Sequence, residues 1–417
     1  MSASGSNFYG KKLKRRLSII YRDSSEVPHR KGVNSMAIDT DHPSVRKSQE
    51  EAILYTASRD RMIKAWHVNY QKKQASLLVN LDEHCDWVNQ IILDKEKQLL
   101  FSCSNDTTIK MWKLESELFK ENGGRDQLTR TARSTLTLND DFDYVKGIAY
   151  SSYGKVLFST ADNGIVRKWD LNQGKSESNR KVSLEETTLS QPLTQIKLFE
   201  FPDIIPTSLA CSQGGNVVAV SFTDEKLRII DFRTGPSQTQ DIGNATMQLE
   251  GEHSDIIKRI VLSPDGTLLI SAGQDGLVKI WDLGMRRCIQ TIGDNGLNFG
   301  RGLGPSSFQQ SDFHRDTISA IDINFDEELM FTGGRDGAMF MTKLGENYAE
   351  NQVPYQKVCM KYDAKNGKMW YGTPQSTFNC LDLTPKTALH SFEVNGLPWI
   401  TEYHQHAAPY TKGPSIP

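Results

Sequence analysis

The sequence predicts an all-β protein assembled from repeated four-stranded sheets. Three observations carry that expectation: short runs rich in Ile, Val and Leu separated by turn sequences, a His, an Asp and a Trp recurring at fixed intervals, and pieces each too small to stand alone. The clearest copy is Gly251 to Leu283, GEHSDIIKRIVLSPDGTLLISAGQDGLVKIWDL. Strands are expected at Asp255 to Leu262, Leu268 to Gly273, Val278 to Leu283 and Cys288 to Ile292. Pro264-Asp265-Gly266 and Asp275-Gly276 turn the chain between them, Pro presetting φ and Gly tolerating positive φ.

His253 precedes Asp275 by 22 residues, and Asp275 precedes Trp281 by 6. The same intervals separate His84, Asp106 and Trp112, and His314, Asp336 and Thr342. His29, Asp60 and Trp66 keep the 6 but stretch the first interval to 31. Degenerate copies run Asp141, Asn163, Trp169 and Pro202, Asp224, Ile230, and a seventh ends at Leu381-Asp382. This pattern resembles the WD40 repeat, over roughly residues 17 to 395. The resemblance implies a WD40 β-propeller, radial four-stranded blades around a channel. Within each good blade the Asp would accept from the His and from turn amides, with a Ser or Thr linking His to Trp. A buried carboxylate is tolerated only when satisfied in this way.

Residues 1–16 read as a flexible tail with the basic run Lys11 to Arg16, and 17–395 as the propeller. Leu17 to Tyr21 is expected to close the last blade. Seven blades are favoured. Thr387 to Val394 is a rival fourth strand for the seventh copy, which would leave Trp399 to His404 to begin an eighth blade. Residues 396–417 are then a linker or the start of that blade. Polar or Gly-rich inserts at Asp39 to Glu51, Glu115 to Arg133, Asn172 to Pro192 and Gly293 to Phe313 are expected to be surface loops.

A formal net charge of −2 over 417 residues gives no general pull toward nucleic acid. Six cysteines are scattered without a CxxC, as expected of reduced thiols. No apolar run approaches 18 residues, so a soluble, non-membrane, cytoplasmic protein is expected, with a nuclear location as the alternative. Repeated His, Asp and Ser at identical intervals argue for structural braces, since catalysis needs one constellation and not several. Gly300 to Gly304 lacks the dinucleotide-binding pattern, and there is no P-loop, HExxH or zinc spacing. No enzyme activity, cofactor or metal is expected.

Function should therefore lie on the rim, at the residue before each turn Asp and at those following each His. These positions give Arg59, Asn105, Thr223, Gln274 and Arg335, then Asn34, Trp87, Tyr144, Lys146, Lys258 and Ser319. Positive charge is expected to exceed negative there, with Arg59, Lys146, Lys258 and Arg335 against Asp162. Trp87, beside Asp86, has no obvious core duty. Trp and Arg are types enriched where partners bind most strongly.

HRKGVNSMAID with SRDRMIKAWHVN, HCDWVNQIIL with SCSNDTTIKMW, DYVKGIAY and GGRDG more specifically resemble the WD repeat-containing protein 48 family and its fungal members. That resemblance implies a non-catalytic partner that binds and activates a ubiquitin-specific protease, with ubiquitin as a further ligand. It places docking on blades four to six, with Lys258 and Arg335 at matching positions. Ser319 departs from the family, since the animal members carry an aromatic there. Two other readings stand beside it: a receptor of a cullin-type ubiquitin ligase, for which Asp231-Phe232-Arg233 resembles a D-x-R motif but Ile230 replaces the expected Trp, and a general peptide-binding scaffold.

Overall fold

The computed structural model describes residues 29–42, 51–72, 74–115, 132–139, 143–171, 195–200, 204–232, 246–248, 253–293, 314–343, 348–352, 358–374 and 378–382. They form seven consecutive antiparallel sheets and no α-helix. Blade one is β1 (Val33–Asp39), β2 (Glu51–Ser58), β3 (Ile63–Asn69) and β4 (Gln74–Leu81). Blade two is β5 (Val88–Asp94), β6 (Leu99–Ser104), β7 (Thr108–Lys113) and β8 (Leu136–Asn139). Blade three is β9 (Val145–Ser151), β10 (Val156–Ala161), β11 (Ile165–Asp170) and β12 (Gln195–Glu200). Blade four is β13 (Pro206–Cys211), β14 (Val217–Phe222), β15 (Leu227–Asp231) and β16 (Thr246–Gln248). Blade five is β17 (Ile257–Leu262), β18 (Leu268–Gly273), β19 (Val278–Asp282) and β20 (Arg287–Ile292). Blade six is β21 (Ile318–Asn324), β22 (Leu329–Gly334), β23 (Ala338–Lys343) and β24 (Tyr348–Gln352). Blade seven has β25 (Cys359–Asp363), β26 (Lys368–Gly372) and β27 (Phe378–Asp382) among the described residues.

The first strands follow one another around a ring, β1 against β5, β9, β13, β17 and β21 in turn, and β25 returns to β1. The fold is thus an all-β propeller of seven sheets. Both candidate closing strands, Leu17 to Tyr21 and Thr387 to Val394, lie outside the described residues, as does the proposed start of an eighth blade. All four inserts fall where the spacing put them, between β1 and β2, β7 and β8, β11 and β12, and β20 and β21.

The second strand of each blade explains the packing. All six residues of β10 (VLFSTA) and of β14 (VVAVSF) are buried, because each sheet is covered on both faces by neighbours. The core therefore lies between blades. Ile53, Tyr55 and Ile63 meet Val88, Leu100 and Trp112 at one such seam. Val33, Met36 and Trp66 meet Cys359, Trp370 and Phe378 where the ring closes.

In blades one to six the turn between second and third strands holds one left-handed residue, directly after the turn Asp or Asn. It is glycine at 164, 276 and 337 (φ 76°, 74° and 81°), but Arg61, Thr107 and Glu225 adopt it too (φ 75°, 70° and 67°).

Candidate interaction face and the braces beneath it

In blade five the indole Nε1–H of Trp281 donates to Ser271 Oγ at 2.8 Å. Ser271 Oγ lies 2.6 Å from His253 Nε2, and His253 Nδ1 lies 2.8 Å from Asp275. An indole can only donate, so the serine oxygen accepts and its hydrogen goes to Nε2. Nδ1 then carries the proton given to Asp275, and the chain of donors has one direction. Asp275 also accepts the amides of Ser254 and Leu277, which fixes the turn.

Blade one repeats this with Trp66, Thr56, His29 and Asp60 at 2.8, 2.8 and 2.9 Å. Blade two repeats it with Trp112, Ser102, His84 and Asp106 at 2.9, 2.8 and 2.8 Å. Burial alone would push the carboxyls up. The hydrogen bond and charge of the partner histidine, then the turn amides, outweigh it: Asp60 is held at about 2, Asp106 is held well below the usual carboxylate range, and Asp275 and Asp336 are lowered. His29 is pushed down by burial, against the hydrogen bond it donates to Asp60.

The degenerate blades keep parts of the brace. Blade three retains Trp169 to Ser159 at 2.9 Å, while Asn163 accepts the amide of Ile165 and Asp141 lies outside the described residues. Blade four turns Asp224 toward Arg228 at 2.6 Å, buries Ile230 in place of Trp, and has its Pro202 outside the described residues. Blade six keeps His314 on Asp336 (3.1 Å) and Thr332 (3.0 Å). With Thr342 in the Trp position, the imidazole packs edge-on to Phe340 instead, and the buried Thr342 hydroxyl has no partner.

Residues 24–67, 75–113, 132–170 and 243–282 match the WD domain, G-beta repeat. The chain carries WD40 repeats. The matched segments are those of blades one, two, three and five. WD40 repeats mark a protein-interaction scaffold, and nothing in the WD40 braces themselves offers a reactive group, since their polar atoms are spent on each other.

The face over these WD40 braces is built from one backbone irregularity. In six first strands the register slips by one residue, at Val33/Ser35, Val88/Gln90, Val145/Gly147, Pro206/Ser208, Ile257/Arg259 and Ile318/Ala320. The bulged residues are Asn34, Asn89, Lys146, Thr207, Lys258 and Ser319, and a bulge re-aims its side chain. Their ordinary duty is stitching. Asn34 Nδ2 donates to the Val88 carbonyl (3.0 Å), Asn89 Nδ2 to that of Val145 (2.7 Å), and Thr207 Oγ1 to that of Ile257 (2.6 Å), each in the next blade.

Residues just before the turn Asp complete the pattern. Arg59 donates to Asn34 Oδ1 at 3.0 Å and stacks over Trp87 at 5.1 Å. Asn105 accepts from Asn89 at 2.8 Å. Lys146 pairs with Asp162 at 2.9 Å and lies over Tyr144. Blades five and six break the pattern. Among the described residues no hydrogen bond or ion pair engages the side chains of Lys258, Gln274 or Arg335; only backbone is used, the Gln274 amide on the Ile256 carbonyl and the Arg335 amide on that of Thr317, both at 2.8 Å.

The rim charge differs from the expected excess of cations. Asp86, Asp143, Asp255 and Asp316 each cap the amide of the next residue, at 2.7, 2.8, 2.7 and 2.6 Å, and add carboxylates the sequence count left out. Of the four cations, Arg59 and Lys146 are spent and Lys258 and Arg335 are not. Trp87 (39% exposed) and Tyr144 (46% exposed) stand beside Arg59 and Lys146, so the Trp87 ring is a platform for a neighbouring guanidinium as well as an exposed surface.

Proposed function

We propose that this WD40 scaffold is a non-catalytic activator of a ubiquitin-specific protease. It docks the enzyme over blades four to six and takes ubiquitin as a further ligand of the propeller face. The observation that carries the reading is the asymmetry of the rim. Blades one to three satisfy their bulge and pre-turn residues internally, whereas Lys258, Gln274 and Arg335 keep donors and two positive charges for a partner. The sequence likeness to the WD repeat-containing protein 48 family supports the choice of partner. Ser319, where the animal members carry an aromatic, marks a contact that differs from theirs.

Such a partner makes no bond. It binds the active conformation of the protease better than the inactive one, and a coupling of about 1–3 kcal/mol raises activity roughly 5- to 150-fold. The reading puts the complex in the cytoplasm, with the nucleus as a second location. The test is affinity capture followed by ubiquitin-release assays with wild-type protein, Lys258→Glu and Arg335→Asp. The expected result is a captured ubiquitin-specific protease, stimulated by wild type, with either charge reversal weakening binding by about a hundredfold or more, as for a desolvated charge pair. Both variants should keep the wild-type unfolding midpoint. A captured cullin adaptor, or unaltered protease binding by both variants, overturns it.

A further inference from the structure

The channel at the propeller axis encloses about 690 Å³ and is lined by Ser35, Gln90, Ser208 and Arg259, among others. These four share one register position, the residue just past the bulge, on blades one, two, four and five. They form one level of the ring. At that level blades three and six contribute only Gly147 and Ala320.

The hydrogen bonds at this level have a common direction. Ser35 Oγ accepts the amide of Ile91 (3.2 Å), Gln90 Oε1 that of Ile148 (3.0 Å), and Ser208 Oγ that of Ile260 (3.2 Å). Each side chain spends its oxygen on the next blade, which leaves the hydroxyl hydrogens and the Gln90 Nε2 hydrogens without an acceptor among the described residues. Among the described residues Arg259 spends only Nε, on the Ser319 carbonyl at 3.3 Å, and both ends of its guanidinium fork are unengaged. Among the described residues no carboxylate pairs with it. The two acidic groups that act on Arg259 are the thiols of Cys103 and Cys359, and burial holds both thiols up at about 12, so they stay protonated. Asp322, also on the channel wall, is committed to Lys361 (2.8 Å) and to the Tyr362 amide (2.7 Å).

A level that carries a permanent cation and several unspent donors, with its acceptors used up, is complementary to a small oxyanion. An uncompensated guanidinium in such a place is costly without a counter-charge. A planar fork favours oxyanions, which it engages through two parallel N–H donors. We propose that the channel is a binding site for a small phosphate-type oxyanion, held by the Arg259 guanidinium with Gln90 Nε2 and the Ser35 and Ser208 hydroxyls as further donors. The site is separate from the rim and does not depend on which protein docks there.

The test titrates inorganic phosphate against the full chain by calorimetry, with chloride at matched ionic strength as the control and acetate as a second arm. Wild-type protein should bind phosphate saturably. Arg259→Gln should bind at least about tenfold more weakly, as expected for loss of a charge-assisted contact. Arg259→Lys should retain part of the affinity. Lys113→Gln, on the third strand of blade two and outside the channel lining, should bind like wild type. Circular dichroism checks that each variant is folded, and Gln90→Ala gives a second, uncharged perturbation that should also weaken binding. Saturable binding of acetate alone would reassign the site to carboxylates and overturn the phosphate proposal. Absence of phosphate binding to wild type, or equal binding by Arg259→Gln, would remove the site. Protease capture plays no part in this readout, so each reading fails on its own.

Discussion

At the scale of the residue, the braces convert exposed-looking polar types into internal parts, and their energetics follow from burial. His253 and Asp275 sit within one sheet edge with side chains almost wholly covered. Truncating one member strands the other, which costs about 3–5 kcal/mol for buried pairs. Asp275→Ala is expected to lower stability in urea by that amount. A loss under about 1 kcal/mol would mean that water replaces the carboxylate freely. The same groups set the response to acid. Asp60 lies at about 2 in the folded protein against an ordinary 3.8, so its stabilisation is complete above 3.8 and drains as pH falls toward 2. Asp106, Asp275 and Asp336 are shifted in the same direction and add to that loss. His29 acts at higher pH. Burial lowers its value below 6.5, so below 6.5 the unfolded chain takes up a proton that the folded protein resists, and stability starts to fall there. The urea midpoint should therefore decline gently below pH 6.5 and steeply below 3.8. His29→Gln should remove part of the gentle limb and, by taking away the partner that lowers Asp60, part of the acid limb as well.

At the scale of the element, strain gathers in the turns, where one residue in each of blades one to six is left-handed. Three blades use glycine there; blade two uses Thr107 at φ 70°. A β-branched residue in that region is disfavoured by about 1–2 kcal/mol, and a glycine returns about half of the relief as chain entropy. Thr107→Gly should raise the unfolding free energy by roughly 0.5–1 kcal/mol, measured by urea titration; a loss would show that the side chain holds the turn. Strands were the most legible part of the sequence. In blade five, Leu268–Gly273 was read at its observed bounds and the other three strands lie within two residues of theirs, because Pro264 to Gly266 and Asp275-Gly276 punctuate the apolar runs. The braces were legible for the same reason, as repeated intervals. What the sequence hid was the bulge. A one-residue register slip leaves no composition signal, yet it decides that Asn34, Asn89 and Thr207 stitch blades while Lys258 stays unengaged. The capping aspartates were hidden likewise, and with them the mixed sign of the rim. Arg259 was missed altogether: inside IIKRIVL it reads as the polar member of a strand, and only the closed ring turns it toward an enclosed channel.

At the scale of the whole molecule, six of the seven seams join blades adjacent in the chain, and the seventh joins its far ends. A ring made of neighbour contacts gains each local seam early, but the last one costs the loop entropy of the entire toroid. That seam carries more polar bonding than core packing alone requires. Val33 N donates to the Thr373 carbonyl at 3.2 Å, and Lys365 reaches the Thr40 carbonyl at 3.0 Å. At its centre Tyr70 of blade one donates to Asp363 of blade seven at 2.7 Å and accepts from Trp370 Nε1 at 3.1 Å. Burial, then the Asp363 charge, pushes the phenol far above its ordinary value, so it remains a donor at any working pH. Tyr70→Phe keeps the ring and its packing but leaves Asp363 short of a donor and the buried Trp370 indole without an acceptor. The cost is about 1–3 kcal/mol. Where it appears distinguishes a seam effect from a general one. If the closing seam is the weakest link, hydrogen exchange in β1 and β25 should quicken in Tyr70→Phe by about 5- to 150-fold, the kinetic equivalent of that cost, while β13 and β14 on the far side stay near wild type. Equal acceleration in all four strands would mean that the ring opens only by unfolding as a whole.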